Sequence, residues 1–167
     1  MRILGIDPGY AIVGFGIIEH ERNSFRTVGY GAITTKAGIE LSRRLEIIYD
    51  DLNNVIQKYS PDVMAIEKLF YNTNAKTAIE VCEARGVTLL AAQKNFLPIF
   101  EYTPLQVKQS LVGYGRADKK QVQEMTKSFL NLNEIPKPDD TADALAIAVC
   151  HAHTSSSVSR YIKAKEF

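Results

Sequence analysis

The sequence lacks long apolar runs and shows no targeting segment. No hydrophobic stretch is long enough to span a bilayer, and no basic region followed by a long apolar stretch opens the chain, as it would in a signal peptide. We therefore expect a cytoplasmic protein without a membrane partner. A chain of 167 residues suits one globular domain, and its 46% hydrophobic and 23% charged residues suffice for a real core and exclude disorder.

Cysteine and histidine are scarce and form no metal-binding pattern. Cys82 and Cys150 stand at distant positions without a C-x-x-C pair, so we expect two buried, reduced thiols. The three histidines form no H-x-x-x-H pattern. His151 and His153 lie near the predicted end of the last helix, where partial positive charge stabilises the helix dipole. We therefore expect neither of them to bind a metal.

Excess positive charge is also absent, because the net charge is only +1. A uniformly basic surface is thereby excluded. If the partner is nucleic acid, basic residues must be concentrated on one face while acidic residues lie elsewhere.

The periodicity of apolar residues predicts an α/β domain. Strands are predicted at residues 3–6, 12–18, 26–33, 63–66 and 98–102, and helices at 39–58, 74–95, 103–113, 118–130 and 140–153. A three-stranded meander followed by strand–helix crossovers gives a five-stranded mixed sheet with helices on both faces. Residues 1–154 would form this domain, and residues 155–167 a flexible basic tail.

Two acidic residues end strands that are otherwise apolar. The strands before Asp7 and Glu67 are short and apolar on both sides, which favours the centre of the sheet. As parallel neighbours they would bring both carboxylates to one edge. A turn explains Asp7 without any function, but Lys68, Leu69 and Phe70 give no turn signal after Glu67. Partly buried carboxylates side by side are costly without a cation, so we predict a functional pair.

The last predicted helix carries further acids in its first turns. Asp140 and Asp143 are three residues apart and share a face, but Asp139 lies four from Asp143, so spacing leaves Asp139 and Asp140 as alternatives. Capping or the dipole can explain an acid in the first turn, but not Asp143. Four clustered acids suit two Mg²⁺ or Mn²⁺ ions, which together can cleave phosphodiesters. The pattern predicts a metal-dependent nuclease.

Five sequence blocks occur in a characteristic order: GIDPG at 5–9, IEKLF at 66–70, ARGV at 84–87, QVKQSLVGYGRADKKQVQ at 106–123 and DDTADALAIAVCHAH at 139–153. Together they resemble the RuvC family of bacterial Holliday-junction resolvases. The resemblance, which runs from residue 1 to about 153, implies an RNase H-like fold and a homodimer. It also implies a Mg²⁺-dependent endonuclease, with Mn²⁺ as a substitute, that cuts opposing strands of a four-way DNA junction symmetrically. Such enzymes act in recombination and repair with the RuvA and RuvB branch-migration proteins.

The resemblance also implies roles for individual residues. The catalytic and metal-binding acids of the family fall on Asp7, Glu67, Asp140 and Asp143, because its D-x-x-D spacing selects Asp140. The family's base-stacking aromatic falls on Phe70, with Tyr71 beside it, and its DNA-contacting lysines fall on Lys108 and Lys119. Arg116 and Lys120 would extend this basic patch. Lys119 and Lys120 lie in the first turn of a helix, where cations oppose the dipole, which itself favours an anionic partner. The alternative for the lysines is a solvated helix face, and for Phe70 a place in the core.

The predicted helix 74–95 is apolar on two sides, which indicates two packing partners. One side carries Ile79, Cys82 and Leu89, and the other carries Ala78, Val81, Ala84 and Ala92. Gly86 would allow close backbone approach. We expect one side to pack on the sheet and the other on a second subunit; the alternative is a third layer within the same chain.

Two other functions account for part of the pattern. GIDPGY before a glycine-rich hairpin also resembles the first phosphate loop of actin-like ATPases and sugar kinases, but no second phosphate loop follows. A junction-binding module without catalysis would not need all four acids. We therefore favour the nuclease.

Overall fold

Three strands, two helix–strand pairs and three final helices follow one another along the chain in a computed structural model that describes residues 1–22, 24–68 and 77–165, with side chains up to residue 155. The strands are β1 (Arg2–Asp7), β2 (Ile12–Glu21), β3 (Ser24–Thr34), β4 (Val63–Glu67) and β5 (Ile99–Tyr102). The helices are α1 (Leu41–Tyr59), α2 (Ala78–Lys94), α3 (Pro104–Val112), α4 (Lys119–Phe129) and α5 (Asp139–Lys165). This order confirms the predicted α/β class.

The strands form one mixed sheet in the order β3-β2-β1-β4-β5. β1, β2 and β3 are antiparallel neighbours, whereas β4 pairs parallel with both β1 and β5. The two strands that end in acids are therefore adjacent and parallel. Their register aligns Ile6 with Ile66, so Asp7 and Glu67 follow at the same edge of the sheet.

Two apolar layers cover the sheet, one on each face. Leu4 and Ile6 pack with the core under α1 and α2, whereas Ile3 packs with the core under α3, α4 and α5. Successive side chains of a strand point to opposite faces. Asp7 therefore points to the same face as Ile3, which is the face that α5 covers. By the same alternation Glu67 shares that face with Ala65, a member of the α5-side core.

Helix α5 lies directly on glycines of β1 and β2. A Cβ atom at Gly5 would lie 2.0 Å from the carbonyl oxygen of Ala144, and one at Gly14 would lie 2.0 Å from that of Asp140. A Cβ at Gly16 would lie 2.6 Å from the Leu145 side chain. Because no side chain separates these strands from the helix backbone, α5 approaches the sheet more closely than it otherwise could.

The start of each of two helices was predicted correctly by its capping sequence. At α3, Thr103 and Gln106 exchange side-chain-to-backbone hydrogen bonds of 2.8 and 3.1 Å. At α4, Asp118 and Gln121 do the same at 2.9 and 2.8 Å. These caps fix the first turn of α4, where Lys119 follows directly after Asp118.

Helix α5 is longer than predicted, which changes the environment of its histidines. It continues to Lys165 rather than ending at His153, so the predicted interaction of His151 and His153 with a helix end is wrong. His151 is instead buried, its Nδ1 lies 2.7 Å from the hydroxyl oxygen of Tyr102, and burial lowers its pKa. The flexibility predicted for residues 155–167 stays a prediction.

Two predictions about α2 are also corrected. Cys82 is exposed, although Cys150 is buried as expected. Leu89 is half-buried and packs against the core, whereas Leu90 is exposed. Ala84 and Ala92 are buried, and Ile79 and Cys82 are exposed, so the two-sided pattern is present and Leu89 departs from it. Within the described ranges, no helix is both long enough and apolar enough to cross a membrane.

Candidate active site

The four predicted acids come from three elements that meet at one edge of the sheet. Asp7 ends β1 and Glu67 ends β4, while Asp140 and Asp143 lie in the first two turns of α5. Gly14 pairs with Asp7 across the sheet and touches the backbone of Asp140. The same glycine thus brings the start of α5 close to the end of β1.

Burial and mutual repulsion disfavour the charged forms of these carboxylates. Burial, followed by the charges of Glu67, Asp143 and Asp140, raises the pKa of Asp7 to about 8. Burial and then the charge of Asp143 raise the pKa of Glu67. Burial likewise raises the pKa of Asp143, although a hydrogen bond from Lys119 opposes it. Such a site favours either protonation of its carboxylates or binding of a cation.

One ammonium group supplies part of that positive charge. The Nζ atom of Lys119 lies 3.0 Å from Oδ2 of Asp143 and 3.5 Å from Oδ2 of Asp139, and its charge lowers the pKa of Asp7 and of Glu67. Burial lowers the pKa of Lys119, but the hydrogen bond to Asp143 and the charges of Asp143 and Asp139 outweigh it, so this pKa is raised overall. Lys119 is thus an internal counter-ion of the acids.

The surroundings of Asp139 and Asp140 distinguish the two residues. Asp139 accepts a hydrogen bond of 2.8 Å from Nζ of Lys137, and this bond, followed by the charge of Lys119, lowers the pKa of Asp139. Asp140, unlike Asp139, is among the charges that raise the pKa of Asp7. Asp140 therefore acts on Asp7, whereas Asp139 is neutralised by Lys137 and Lys119, which favours Asp140 as the member of the acidic cluster.

The donor set fits a hard divalent cation, although it is not closed around one. Carboxylate oxygens are the ligands that Mg²⁺ and Mn²⁺ prefer. Among residues 1–22, 24–68 and 77–155, no three histidine, cysteine or acidic side chains stand in a ready metal-binding arrangement. Because Mg²⁺ binds through one or two carboxylates and keeps several waters, a closed cage is not required.

A cleft of about 190 Å³ opens beside these acids. It is lined by Glu67, Pro104, Val107, Lys108, Lys119, Val122, Asp143, Ala146 and Ile147. Two of the predicted DNA-contacting lysines, Lys108 and Lys119, are therefore in the cleft. Arg116 and Lys120 are exposed near the start of α4. Phe70 and Tyr71 lie outside the described residues.

Two features of the site were missed in the sequence. The glycines under α5 were noted only as part of a strand pattern, although their position opposite small residues of α5 determines how close the helix lies. Arg85 was noted only within the ARGV block. Its Nε donates a 3.4 Å hydrogen bond to the carbonyl oxygen of Glu67. A charged residue among the small residues of α2 was the available signal.

The strand order, together with acids at the ends of β1 and β4 and at the start of α5, defines a nuclease of the RNase H-like class. A family model described as "Crossover junction endodeoxyribonuclease RuvC" matches residues 3–151. The chain therefore belongs to the RuvC family of endonucleases, which are hydrolases of phosphodiester bonds.

Individual relatives support the same family. The crossover junction endodeoxyribonuclease RuvC of Halothermothrix orenii is 60% identical over 154 residues, which cover 92% of this chain and 93% of the relative. That of Clostridioides difficile is 58% identical over 155 residues, covering 93% and 92%. These relatives match along nearly their whole length.

Solved structures agree with the fold. A structure of Thermus thermophilus RuvC superposes with a TM-score of 0.88 at 33% identity, covering 94% of this chain and 96% of that chain. RuvC of the same organism in complex with a Holliday junction substrate gives 0.86 at 31% identity, with the same coverage. The yeast mitochondrial Holliday junction resolvase Ydc2 gives 0.73 at 14% identity, covering 96% and 81%, which supports the fold alone.

Proposed function

We propose that this chain resolves Holliday junctions by cutting two opposing strands symmetrically, as a homodimer that uses divalent cations. The observation that carries the proposal is the set of repelling carboxylates, Asp7, Glu67, Asp140 and Asp143, at one sheet edge beside a cleft with two lysines. A solvated acidic patch would not raise the pKa of Asp7 to about 8. The family membership and the junction complex of the Thermus relative support the substrate.

The four acids would hold the metal, Mg²⁺ with Mn²⁺ as a substitute, at two ions per site. When bound, such ions activate water and stabilise the leaving oxygen of a phosphodiester. The carboxylates must be deprotonated to act as ligands, so cation binding and proton release from Asp7 are coupled. Lys119, which pairs with Asp143, would exchange that carboxylate for a phosphate oxygen when a cation arrives.

The basic residues would place the DNA against the acids. Lys108 and Lys119 in the cleft, with Arg116 and Lys120 exposed beside it, would contact phosphates and bind the backbone without reading its sequence. Phe70 and Tyr71 directly follow the Glu67 segment in the sequence, and they would stack on an unpaired base near the cut, worth about 1–3 kcal/mol per base.

The outer face of α2 supports the homodimer. Ile79 and Leu90 are 69% and 52% exposed there, Cys82 is exposed, and a Cβ at Gly86 would have no neighbour within 4 Å among the described residues. An exposed apolar stripe of this kind favours burial against a partner. Two sites related by a two-fold axis would also explain symmetric cutting.

The cellular setting follows from the family rather than from geometry. We propose that the enzyme acts in the cytoplasm, in recombination and repair, downstream of branch migration by RuvA and RuvB. Retention of a purified RuvA–RuvB–junction assembly on immobilised enzyme would support this, and capture of junction alone from the same mixture would contradict it.

The decisive experiment compares a synthetic four-way junction with linear duplex of the same sequence. We expect paired, symmetric nicks in the junction with Mg²⁺ or Mn²⁺, and binding without cutting in Ca²⁺, which holds its ligands in a looser geometry. Asp7→Asn should abolish cleavage while preserving junction binding. Asp51→Asn, an exposed aspartate of α1 on the other face of the sheet, should cleave normally.

Two outcomes would contradict the proposal. Cleavage by Asp7→Asn at the wild-type rate would remove the acids from catalysis. Equal cutting of junction and linear duplex would leave a nuclease without junction selectivity.

A further inference from the structure

The guanidinium group of Arg85 links three elements, α2, β4 and β5, next to Glu67. Arg85 lies on α2, and its Nε donates a 3.4 Å hydrogen bond to the main-chain carbonyl oxygen of Glu67 at the end of β4. Its Nη2 pairs with the carboxylate of Glu101 on β5. The Arg85 side chain is 16% exposed and the Glu101 side chain 45% exposed, so the ion pair lies partly at the surface and contributes little energy by itself, but it holds the guanidinium beside Glu67.

The main chain at Glu67 receives its other support from β5. The N–H of Lys68 donates a 2.8 Å hydrogen bond to the carbonyl oxygen of Tyr102, and Glu67 is in register with Tyr102. On the other side, the β1–β4 pairing ends at Ile6 and Ile66. Glu67 is the first residue of β4 beyond its pairing with β1, and Arg85 supplies a hydrogen-bond donor to its carbonyl oxygen.

A ligand in this position needs an external restraint. Glu67 ends β4 at the same edge of the sheet as Asp7 on β1, and like charges at one edge repel each other, so neighbouring acids cannot hold the Glu67 carboxylate in place. Metal sites require their ligands to be held within about 0.5 Å of the binding geometry. A planar guanidinium can bridge a carbonyl and a carboxylate with donors in fixed directions, which a lysine cannot do.

We propose that Arg85 is a positioning residue that orients Glu67 for divalent-cation binding by tying the end of β4 to α2 and β5. The inference rests on the proposed function, since it takes Glu67 as a metal ligand. It also connects α2, whose outer face would form the dimer interface, to the metal site of the same subunit.

Two other roles for Arg85 make different predictions. As a plain structural ion pair, its loss would lower the stability of the fold and leave metal affinity unchanged. As a DNA contact, its loss would weaken junction binding instead. A positioning role predicts weaker metal binding in the absence of DNA.

The test uses Arg85→Gln and Arg85→Lys in the full chain. Arg43→Gln is the matched control, because Arg43 forms an exposed ion pair with Glu46 on α1. Mn²⁺ affinity is measured by electron paramagnetic resonance without DNA, junction affinity without metal, and single-turnover cleavage over a range of Mg²⁺ concentrations. Thermal unfolding of each variant is recorded in parallel.

We expect Arg85→Gln to weaken Mn²⁺ binding about 10-fold, the lower end of the effect of losing a partner that orients a metal ligand. The Mg²⁺ concentration at half-maximal cleavage should rise in the same proportion, and excess Mg²⁺ should restore much of the rate. Junction affinity should stay within about twofold of wild type, since no predicted phosphate contact is lost. Arg85→Lys should lie between wild type and Arg85→Gln, and Arg43→Gln should match wild type.

Unchanged Mn²⁺ affinity in Arg85→Gln would overturn the inference, as would weaker junction binding with normal Mn²⁺ affinity. If Arg85→Gln does not fold, Glu101→Gln removes one arm of the bridge, and its Mn²⁺ affinity must then fall in the same direction. A wild-type chain that fails to cut junctions would overturn the proposed function. A junction-cutting wild type with a normal Arg85→Gln variant would overturn this inference alone.

Discussion

Helices α2 and α5 are both rich in small apolar residues, but they are packed differently. From Thr141 to Ala152, all but one residue of α5 is buried. Helix α2 buries only a single side, with Ala84, Thr88, Ala91 and Ala92, and leaves Ile79 and Leu90 exposed. Similar composition therefore does not imply similar burial.

The difference lies in what each helix meets. α5 rests on Gly5, Gly14 and Gly16 with its own backbone in contact, so its first turns have little freedom to move. The outer side of α2 meets nothing around Gly86 in the described part of the chain. Helix α5, which would present metal ligands, is held by contact with the sheet, whereas α2, which would meet a second subunit, keeps one side open.

The largest expected effect comes from disturbing the contact under α5. Gly14→Ala would place a methyl carbon 2.0 Å from the carbonyl oxygen of Asp140. Neither the backbone of β2 nor that of α5 can easily shift to relieve this clash. We expect the free energy of unfolding, measured in urea, to fall by about 3 kcal/mol, together with junction cleavage. Gly31→Ala on β3 is the control, because its Cβ would meet only the Phe15 ring at 3.0 Å. Equal losses in both variants would refute a special role for the α5 contact.

The next effect tests the open side of α2. Leu90→Glu should weaken dimerisation more than tenfold, equivalent to about 2 kcal/mol, because it would bury two charges in the interface. Sedimentation equilibrium measures the change. Leu105→Glu on α3 is the matched control, since Leu105 is 53% exposed against 52% for Leu90. A wild-type monomer at micromolar concentration, or equal effects of the two variants, would contradict the assigned interface.

A smaller effect concerns pH. The pKa of Asp7 is raised from 3.8 to about 8 in the folded chain, so the folded state holds a proton that the unfolded state releases. Without metal, this residue therefore makes stability decrease as pH rises from about 4 to 8. Asp7→Asn should be more stable than wild type by about 1–2 kcal/mol at pH 8.

That difference should vanish below pH 4, where Asp7 is protonated in both states. Urea unfolding in the presence of a chelator measures it, with Asp51→Asn as the control. A stability difference between Asp7→Asn and wild type that does not vary with pH would show that the pKa of Asp7 is not raised in the folded chain.

The smallest effect is expected at Gly86. Alanine in the middle of a helix is favoured over glycine by about 0.5–1 kcal/mol, and a Cβ there meets open space. Gly86→Ala should therefore stabilise the monomer by that amount in dilute urea unfolding. It should also weaken the dimer if subunits approach closely at this residue. A tighter dimer would show that the two α2 backbones are well separated.

Much of the fold and the core of the site were predictable because the signals are local. Period-two and 3.6-residue patterns correctly identified all ten elements, and the apolar runs before Asp7 and Glu67 placed them on adjacent central strands, as found. The errors concern properties that depend on neighbours. The length of α5 was underestimated, and Leu89 packs against the core although it was grouped with the exposed residues Ile79 and Cys82.

The choice between Asp139 and Asp140 shows the same limit within the site. Both are compatible with a helix face shared with Asp143, so spacing could not separate them. The position of Lys137 beside Asp139 and the effect of Asp140 on Asp7 favour Asp140, but neither could be read from spacing. Arg85 and Glu67 are likewise 18 residues apart, and nothing in either segment alone indicates their contact.

The chain of amino acids was enough to specify the element order, the central strands and the acidic chemistry, because these follow from side-chain periodicity and charge along short segments. The approach of α5 to the glycines, the insertion of Lys119 among the acids and the bridge from Arg85 to Glu67 emerged only in three dimensions. Each depends on the distance between segments far apart in sequence, which packing of the whole domain sets.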